Sequence, residues 1–395
     1  MNKQLREAFN QTFSKEHYEN YVHQFESIAA IKPGFRIAET PVFIDKSFKK
    51  LMLETGEEII DFIFSPDFKA LTEKSIPESL KFANEDDYPQ MMVFDFGICK
   101  DERGNIVPKL IELQGFPSLF AFQYYSDLFT RNYTTIPDNY DSYLNGFNSK
   151  TYLELLNDIL LQGHAKENVV LLEFQPEKQK TAIDFICTEK LLGIKTVCVT
   201  TLTTDGKNLY YCNDDKTIKI EIIFNRVIFE DIKNNLSDVQ FNINENYDVQ
   251  WITHPNWFYR ISKYTLPFLK GECIPESYFL NEVKQPLALE NYVLKPLFSY
   301  AGSGVLIDVT AEAIDNIPDP ENWILQEKVH YEPCIATPEG SVKAEVRLFY
   351  FWKKEWKRPL AVHNLARLSK GDMIGTRYNK EQNWVGGTIA YFEKD

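Results

Sequence analysis

Two stretches, Met91-Met-Val-Phe-Asp-Phe-Gly97 and Lys109-Leu-Ile-Glu-Leu-Gln-Gly-Phe-Pro-Ser118, carry the pattern that decides the fold. They flank Cys99-Lys-Asp-Glu-Arg-Gly-Asn-Ile-Val107, whose Gly104 and Asn105 favour a turn, so the whole predicts a β-hairpin. Alternation puts Met91, Val93 and Asp95 on one face of the first strand and Leu110, Glu112 and Gln114 on one face of the second. A fold about Arg103 and Gly104 sets Asp95 opposite Glu112 and Val93 opposite Gln114. Facing carboxylates repel across an antiparallel pair. Among apolar neighbours they would raise a pKa or bind a cation, and with the Gln114 amide oxygen they form an all-oxygen set suited to Mg²⁺ rather than zinc. The alternative is an ordinary hairpin whose acids face water.

Working outward, the chain's 395 residues suffice for two or three domains with a large core. Hydrophobic residues reach 44% and aromatics 14%, with 29 Phe and 21 Tyr, which marks a folded globular protein. The 43 basic against 57 acidic residues leave a net charge of −14 without any long Lys/Arg block, which argues against a nucleic-acid or anionic-membrane surface. Six cysteines without CxxC pairs, and no charged-then-apolar leader, point to a cytoplasmic protein with reduced thiols and no structural zinc. No apolar run approaches the roughly 20 residues that cross a bilayer. The six histidines have no metal-ligand spacing.

Residues 1–90 read as a helical, amphipathic N-terminal region, with Ser65-Pro-Asp67 breaking a periodic run that ends near Ile63. Residues 91–150 hold the hairpin, an aromatic run at Phe120–Tyr125 and a loop rich in Asn, Asp and Pro. From 151 to 255 the pattern is that of an α/β unit. Val169 to Phe174 suits a buried strand, Thr181 to Leu192 a helix stopped by Gly193, and Lys195 to Val199 a second strand, a βαβ arrangement with a parallel sheet. Its first turn, Glu173-Phe-Gln-Pro-Glu-Lys-Gln-Lys180, lacks GxGxxG, which argues against a dinucleotide site. Strands are expected at 208–211 and 218–224.

In residues 256–395 the informative segment is Tyr292-Val-Leu-Lys-Pro-Leu-Phe-Ser-Tyr-Ala-Gly-Ser-Gly-Val-Leu-Ile307. Val293, Lys295 and Leu297 share a strand face, which sets an ammonium in an apolar row. Ser299-Tyr-Ala-Gly-Ser-Gly304 can turn backbone N–H groups toward an anion, and a new strand follows. This is either a phosphate clamp on a hairpin, without the GxxxxGK[ST] of a P-loop, or a plain Gly-Ser turn beside a lysine. Trp323-Ile-Leu-Gln-Glu-Lys-Val329 can offer backbone groups to an adenine edge, or is a plain strand end. Arg347 and Arg367 stand on neighbouring strands, where they would meet a carboxylate or phosphate bidentately or make surface ion pairs.

The order Asn256, Lys263, Pro275–Leu280, Leu294-Lys-Pro296, the glycine loop and Ile324-Leu-Gln-Glu-Lys-Val329 resembles the nucleotide-binding half of the ATP-grasp superfamily. In that family a metal-binding hairpin closes the domain; here the matching hairpin lies at 91–118. The order is similar to the circularly permuted branch, which includes glutathionylspermidine synthetase and eukaryotic glutathione synthetase, with Asn225-Arg-Val227 like the closing strand of an inserted α/β unit. The resemblance implies an α/β and α+β chain: a circularly permuted ATP-grasp fold with an inserted parallel pre-ATP-grasp domain and a helical N-terminal region. It implies a Mg²⁺-dependent, ATP-driven carboxylate–amine ligase that works through an acyl phosphate. Lys263, Lys295, Ser299, Gly302, Ser303 and Gly304 would hold phosphates, Gln326, Glu327, Lys328 and Val329 would line adenine, and Asp95, Glu112 and Gln114 would bind the metal. Gln114 stands where the family has Asn, one methylene shorter. Arg347 and Arg367 would meet the acyl phosphate or the substrate carboxylate. A silent ATP-binding sensor or scaffold, or a small-molecule kinase, are the alternatives.

Overall fold

The computed structural model describes residues 2–395 except 244, 285–286, 300–301, 372–373, 375–378 and 380, and leaves aside the side chains of 234–236. The hairpin forms from strands Met91–Lys100 and Ile106–Gln114, with Asp95 opposite Glu112 and Val93 opposite Gln114. The free edge of Met91–Lys100 pairs antiparallel with Gly340–Phe351, which puts Arg347 directly across from Asp95. Leu360–Ser369 and Gly386–Thr388 extend the same sheet. A hairpin from the first third of the chain thus completes a sheet made by its last sixty-odd residues.

The second hairpin strand departs from plain alternation. Asp95 pairs with Glu112 but Phe96 pairs with Leu110, so Ile111 is the extra residue of a β-bulge. Leu110 therefore does not share the face of Glu112 and Gln114; it joins Leu113 in the core. Both faces of the sheet are covered, which explains the near-continuous apolar run at 91–96. Met92, Phe94 and Phe96 pack in a cluster with helix Lys46–Ile63, whereas Met91 and Val93 meet helix Ser149–Leu161 and the parallel sheet.

That parallel sheet is built from Val169–Glu173, Lys195–Cys198, Ile222–Asn225 and Gln250–Ile252, with helix Ala182–Leu192 as the first crossover, the βαβ unit expected. The fourth strand was not anticipated. The run expected as one strand over 218–224 divides at Glu221: Lys216–Ile220 closes a three-stranded antiparallel meander, and Ile222–Asn225 enters the parallel sheet. The halves pair with different strands, Lys216–Ile220 with Asn208–Asn213 and Ile222–Asn225 with Val169–Glu173 and Gln250–Ile252, so one straight strand cannot serve both.

Residues 1–90 are helical at Lys3–Thr12, Lys15–Ala29 and Lys46–Ile63, but Val42–Ile44 is a strand lying parallel to Ala390–Glu393. The N-terminal region is thereby tied to the far end of the chain. Near the glycine loop, Ser277–Phe279, Trp323–Glu327 and Tyr292–Pro296 form an antiparallel sheet. The strand expected after the loop reduces to one bridge, in which Leu294 and Leu306 exchange N–H···O bonds of 2.9 Å. Among the described residues no helix is long and apolar enough to cross a membrane.

Candidate functional site

Three units, the hairpin-containing sheet, the parallel sheet and the small antiparallel sheet, enclose a cavity of about 1390 Å³. Of the residues singled out in the sequence, Glu112, Gln114, Lys263, Lys295, Ser299, Gly302, Gln326, Glu327, Lys328, Val329, Arg347 and Arg367 line it; Asp95, Ser303 and Gly304 do not. Tyr300 and Ala301 of the glycine loop, and Arg377, Tyr378 and Lys380 of the late polar loop, lie outside the described residues.

Lys263 opens a 3₁₀ turn, Lys263–Phe268, started by the Ser262 hydroxyl, which accepts from the Tyr264 amide. The segment is fixed to the hairpin because Gly115 N–H donates to the Ile261 carbonyl at 2.8 Å. Lys263 Nζ then lies 3.5 Å from Glu112 Oε1 and donates to the Ser299 carbonyl, joining hairpin and glycine loop through one ammonium. Lys295 stands on Tyr292–Pro296, on the face that carries Val293, whose cross-strand partner is Gln326. It donates to Gln326 Oε1 and, at 3.3 Å, to the carbonyl of the bulge residue Ile111. Burial pushes its ammonium down to about 8; Glu112 opposes the fall and Lys263 adds to it.

The loop turns at Gly302 and Gly304, where φ is 71° and 74°, a left-handed conformation that favours glycine. A Cβ on Gly304 would also sit 2.9 Å from the Pro296 ring. In the adenine-like segment, the amides of Glu327 and Lys328 are taken by the carbonyls of Glu276 and Asn291, each at 2.8 Å.

Beneath the floor of the cavity, Asp95 is 1% exposed, and its carboxylate is held by arginines. Arg347 donates through Nε at 2.6 Å and Nη2 at 2.7 Å, and Arg367 Nη2 donates at 2.6 Å. Burial alone would raise the Asp95 pKa, but the two guanidinium groups hold it below the usual carboxylate range. The expected rise in pKa therefore does not occur, because the protein sets two cations of its own against the carboxylate. Glu345, missed in the sequence, lies directly across from Arg367, accepts from it at 2.8 Å and accepts from the Tyr331 hydroxyl. Burial raises its pKa, with Arg367 opposing.

Two further cavity residues went unassigned, Glu173 and Arg226. Both sit just at or after the C-terminal ends of parallel strands, the edge at which α/β sheets hold ligands. Arg226 donates to the Pro117 carbonyl and lies 4.8 Å over the Phe116 ring, and its Nε is buried without a partner among the described residues. Burial pushes Glu173 up to about 7 against the pull of Arg226. Among the described residues no three His, Cys, Asp or Glu side chains converge as metal ligands would.

No protein-family model matches the chain, and no curated relative matches it. A solved structure, that of a glutathione synthetase-like effector from Globodera pallida in the apo form, aligns with 97% of this chain and 98% of its own at a TM-score of 0.58, with 13% sequence identity. The fold is glutathione synthetase-like. At that identity the likeness is one of fold alone.

Proposed function

We propose that the chain is an ATP-dependent carboxylate–amine ligase, a circularly permuted ATP-grasp enzyme that forms an acyl phosphate and passes the acyl group to an amine. One observation carries this reading: Lys263, Lys295 and Glu112, from three separate parts of the chain, meet at one end of a cavity whose floor presents two arginines. Phosphoryl transfer needs positioning and charge neutralisation more than a covalent nucleophile, and a buried array of cations supports both. Lys263 and Lys295 would hold the nucleotide phosphates, the turn at Gly302 and Gly304 would cover them, and Gln326 to Val329 would flank the base. Arg347 and Arg367 would receive the activated carboxylate, and Glu173 with Arg226 would lie on the acceptor side. Glu112 and Gln114 offer cavity-facing oxygens, a donor set compatible with Mg²⁺, which is commonly held by one or two carboxylates together with phosphate oxygens. Bound there, the ion would neutralise developing phosphate charge.

The test incubates the full chain with Mg-ATP, a panel of carboxylic acids and hydroxylamine, which traps acyl phosphates as hydroxamates. Acid-dependent hydroxamate with stoichiometric ADP is expected. ATP binding by calorimetry without ADP from any acid would replace the ligase by a silent ATP-binding sensor or scaffold. The occupation of both Asp95 oxygens by arginine favours that second reading.

A further inference from the structure

Asp95 was grouped with Glu112 and Gln114 as a metal ligand, and its surroundings argue for another task. It does not line the cavity, and its two oxygens accept three guanidinium N–H bonds of 2.6–2.7 Å. A divalent cation on those oxygens would sit against two arginines, and like charges at contact repel strongly in a poorly solvated site. The arginines, by contrast, do reach the cavity. Arg347 is gripped bidentately by its directly opposite cross-strand neighbour, and Arg367, from the next strand, bridges Asp95 and Glu345 through one nitrogen. Glu345 is itself fixed by the Tyr331 hydroxyl. Arg367 Nε is buried and has no hydrogen-bond partner among the described residues, a donor left over where the cavity begins. Planar guanidinium groups held by carboxylates behind them are preorganised to receive an oxyanion in front.

We propose that Asp95 is a positioning residue that holds Arg347 and Arg367 as a paired receiver for a phosphate or carboxylate oxyanion, and that it does not ligate metal. The ligase reading bears on this only in saying which substrate brings the oxyanion. Glu112 and Gln114 are then the hairpin's cavity oxygens, and the facing acids of the hairpin divide their labour: Glu112 works toward the lysines, Asp95 toward the arginines.

The experiment measures two affinities on the full chain. Inorganic phosphate and, separately, acetate are titrated without metal or nucleotide, and Mn²⁺ is titrated by electron paramagnetic resonance in the presence of a non-hydrolysable ATP analogue. In Asp95→Asn, whichever anion binds the wild type is expected to weaken about tenfold or more, as loss of charge-assisted bonds predicts, with Mn²⁺ affinity unchanged. Glu112→Gln is expected to weaken Mn²⁺. Loss of Mn²⁺ in Asp95→Asn, undiminished anion binding, or a wild type that binds neither anion would overturn the proposal. Should Asp95→Asn not fold, Arg347→Ala takes its place: added guanidinium ion is expected to restore anion binding to it, because Asp95 still waits to hold the ion, and failure of that rescue overturns the proposal. Failure of the ligase reading would appear elsewhere, as absence of hydroxamate while these anion affinities respond as stated.

Discussion

The carbonyl of Ile111, the odd residue of the hairpin's bulge, accepts a hydrogen bond from Lys295 Nζ at 3.3 Å. The bulge thus aims a backbone acceptor at a buried ammonium, the kind of redirection bulges provide beside functional sites. Because burial lowers Lys295 to about 8, its charge is present below that pH and is lost as pH rises through it. A polyphosphate arriving beside it favours the charged form, so nucleotide affinity is expected to fall above pH 8 and binding there to take up protons. Calorimetry in buffers of different ionisation enthalpy reads that uptake. Lys295→Arg, charged throughout, should abolish it. Uptake that persists in this variant would assign the titration to another group.

Arg260 ties the N-terminal region to the nucleotide-side segment. It is 3% exposed and donates to Glu85 at 2.7 and 3.0 Å, to Glu73 at 2.6 Å and to the Lys69 carbonyl at 2.7 Å. Removing one partner of a buried pair leaves the other charge uncompensated, so Arg260→Ala is expected to destabilise the protein by about 3 kcal/mol. Arg260→Lys should recover only part, since an ammonium cannot match the bidentate grip on Glu85. Urea denaturation checks both; a wild-type midpoint for Arg260→Ala would mean that residues 69–85 dock through their other contacts, among them the hydrogen bonds of Asn256 to Phe82 and Glu85.

What the sequence made legible follows from how local each determinant is. The hairpin register depends on a turn and on alternation within 28 residues, and Asp95 does stand opposite Glu112. The bulge at Ile111 was not legible, because Lys295 and the core contacts of Leu110 that accommodate it lie elsewhere. Val42–Ile44 pairs with Ala390–Glu393, a partner that no window around residue 42 contains. In the cavity, Lys295 and Glu112 stood out as charges in apolar strands. Glu345 did not, since beside Arg347 in an alternating strand it reads as an ordinary surface pair. Glu173 and Arg226 became visible as site residues only when the strand order set the ends of two parallel strands side by side. Signals carried by one residue's misfit in its strand were readable, whereas those created by tertiary juxtaposition were not.

Gly115 holds the segment bearing Lys263 against the hairpin. A Cβ there would lie 2.5 Å from the Trp257 carbonyl oxygen and 2.9 Å from Ile261 Cβ, and backbone cannot swing aside as a side chain would. Gly115→Ala is expected to destabilise by about 2 kcal/mol, as overpacking in a tight core does. It should also weaken nucleotide binding, because separating Gly115 from Ile261 moves Lys263 away from Glu112. Thermal denaturation together with ATP-analogue titration tests the pair of effects. Destabilisation with unaltered affinity would show that Lys263 finds its place without this contact.

Glu173 sets a pH dependence of opposite sign to that of a salt-bridged acid. Its pKa rises from 4.5 in the unfolded chain to about 7 in the folded one, mainly through burial, with Arg226 opposing. Between those values the native state binds more protons than the unfolded state, so stability falls as pH rises from 4.5 toward 7 and stays lower above it. Glu173→Gln removes the charge while retaining the shape, and should therefore stabilise the protein at pH 8, on the order of 2 kcal/mol at most. Near pH 4.5 the two proteins should differ little from this cause. Melting curves at both pH values provide the check. A variant less stable than wild type at pH 8 would mean that the attraction between ionised Glu173 and Arg226 outweighs the cost of burying the carboxylate at the C-terminal edge of the parallel sheet.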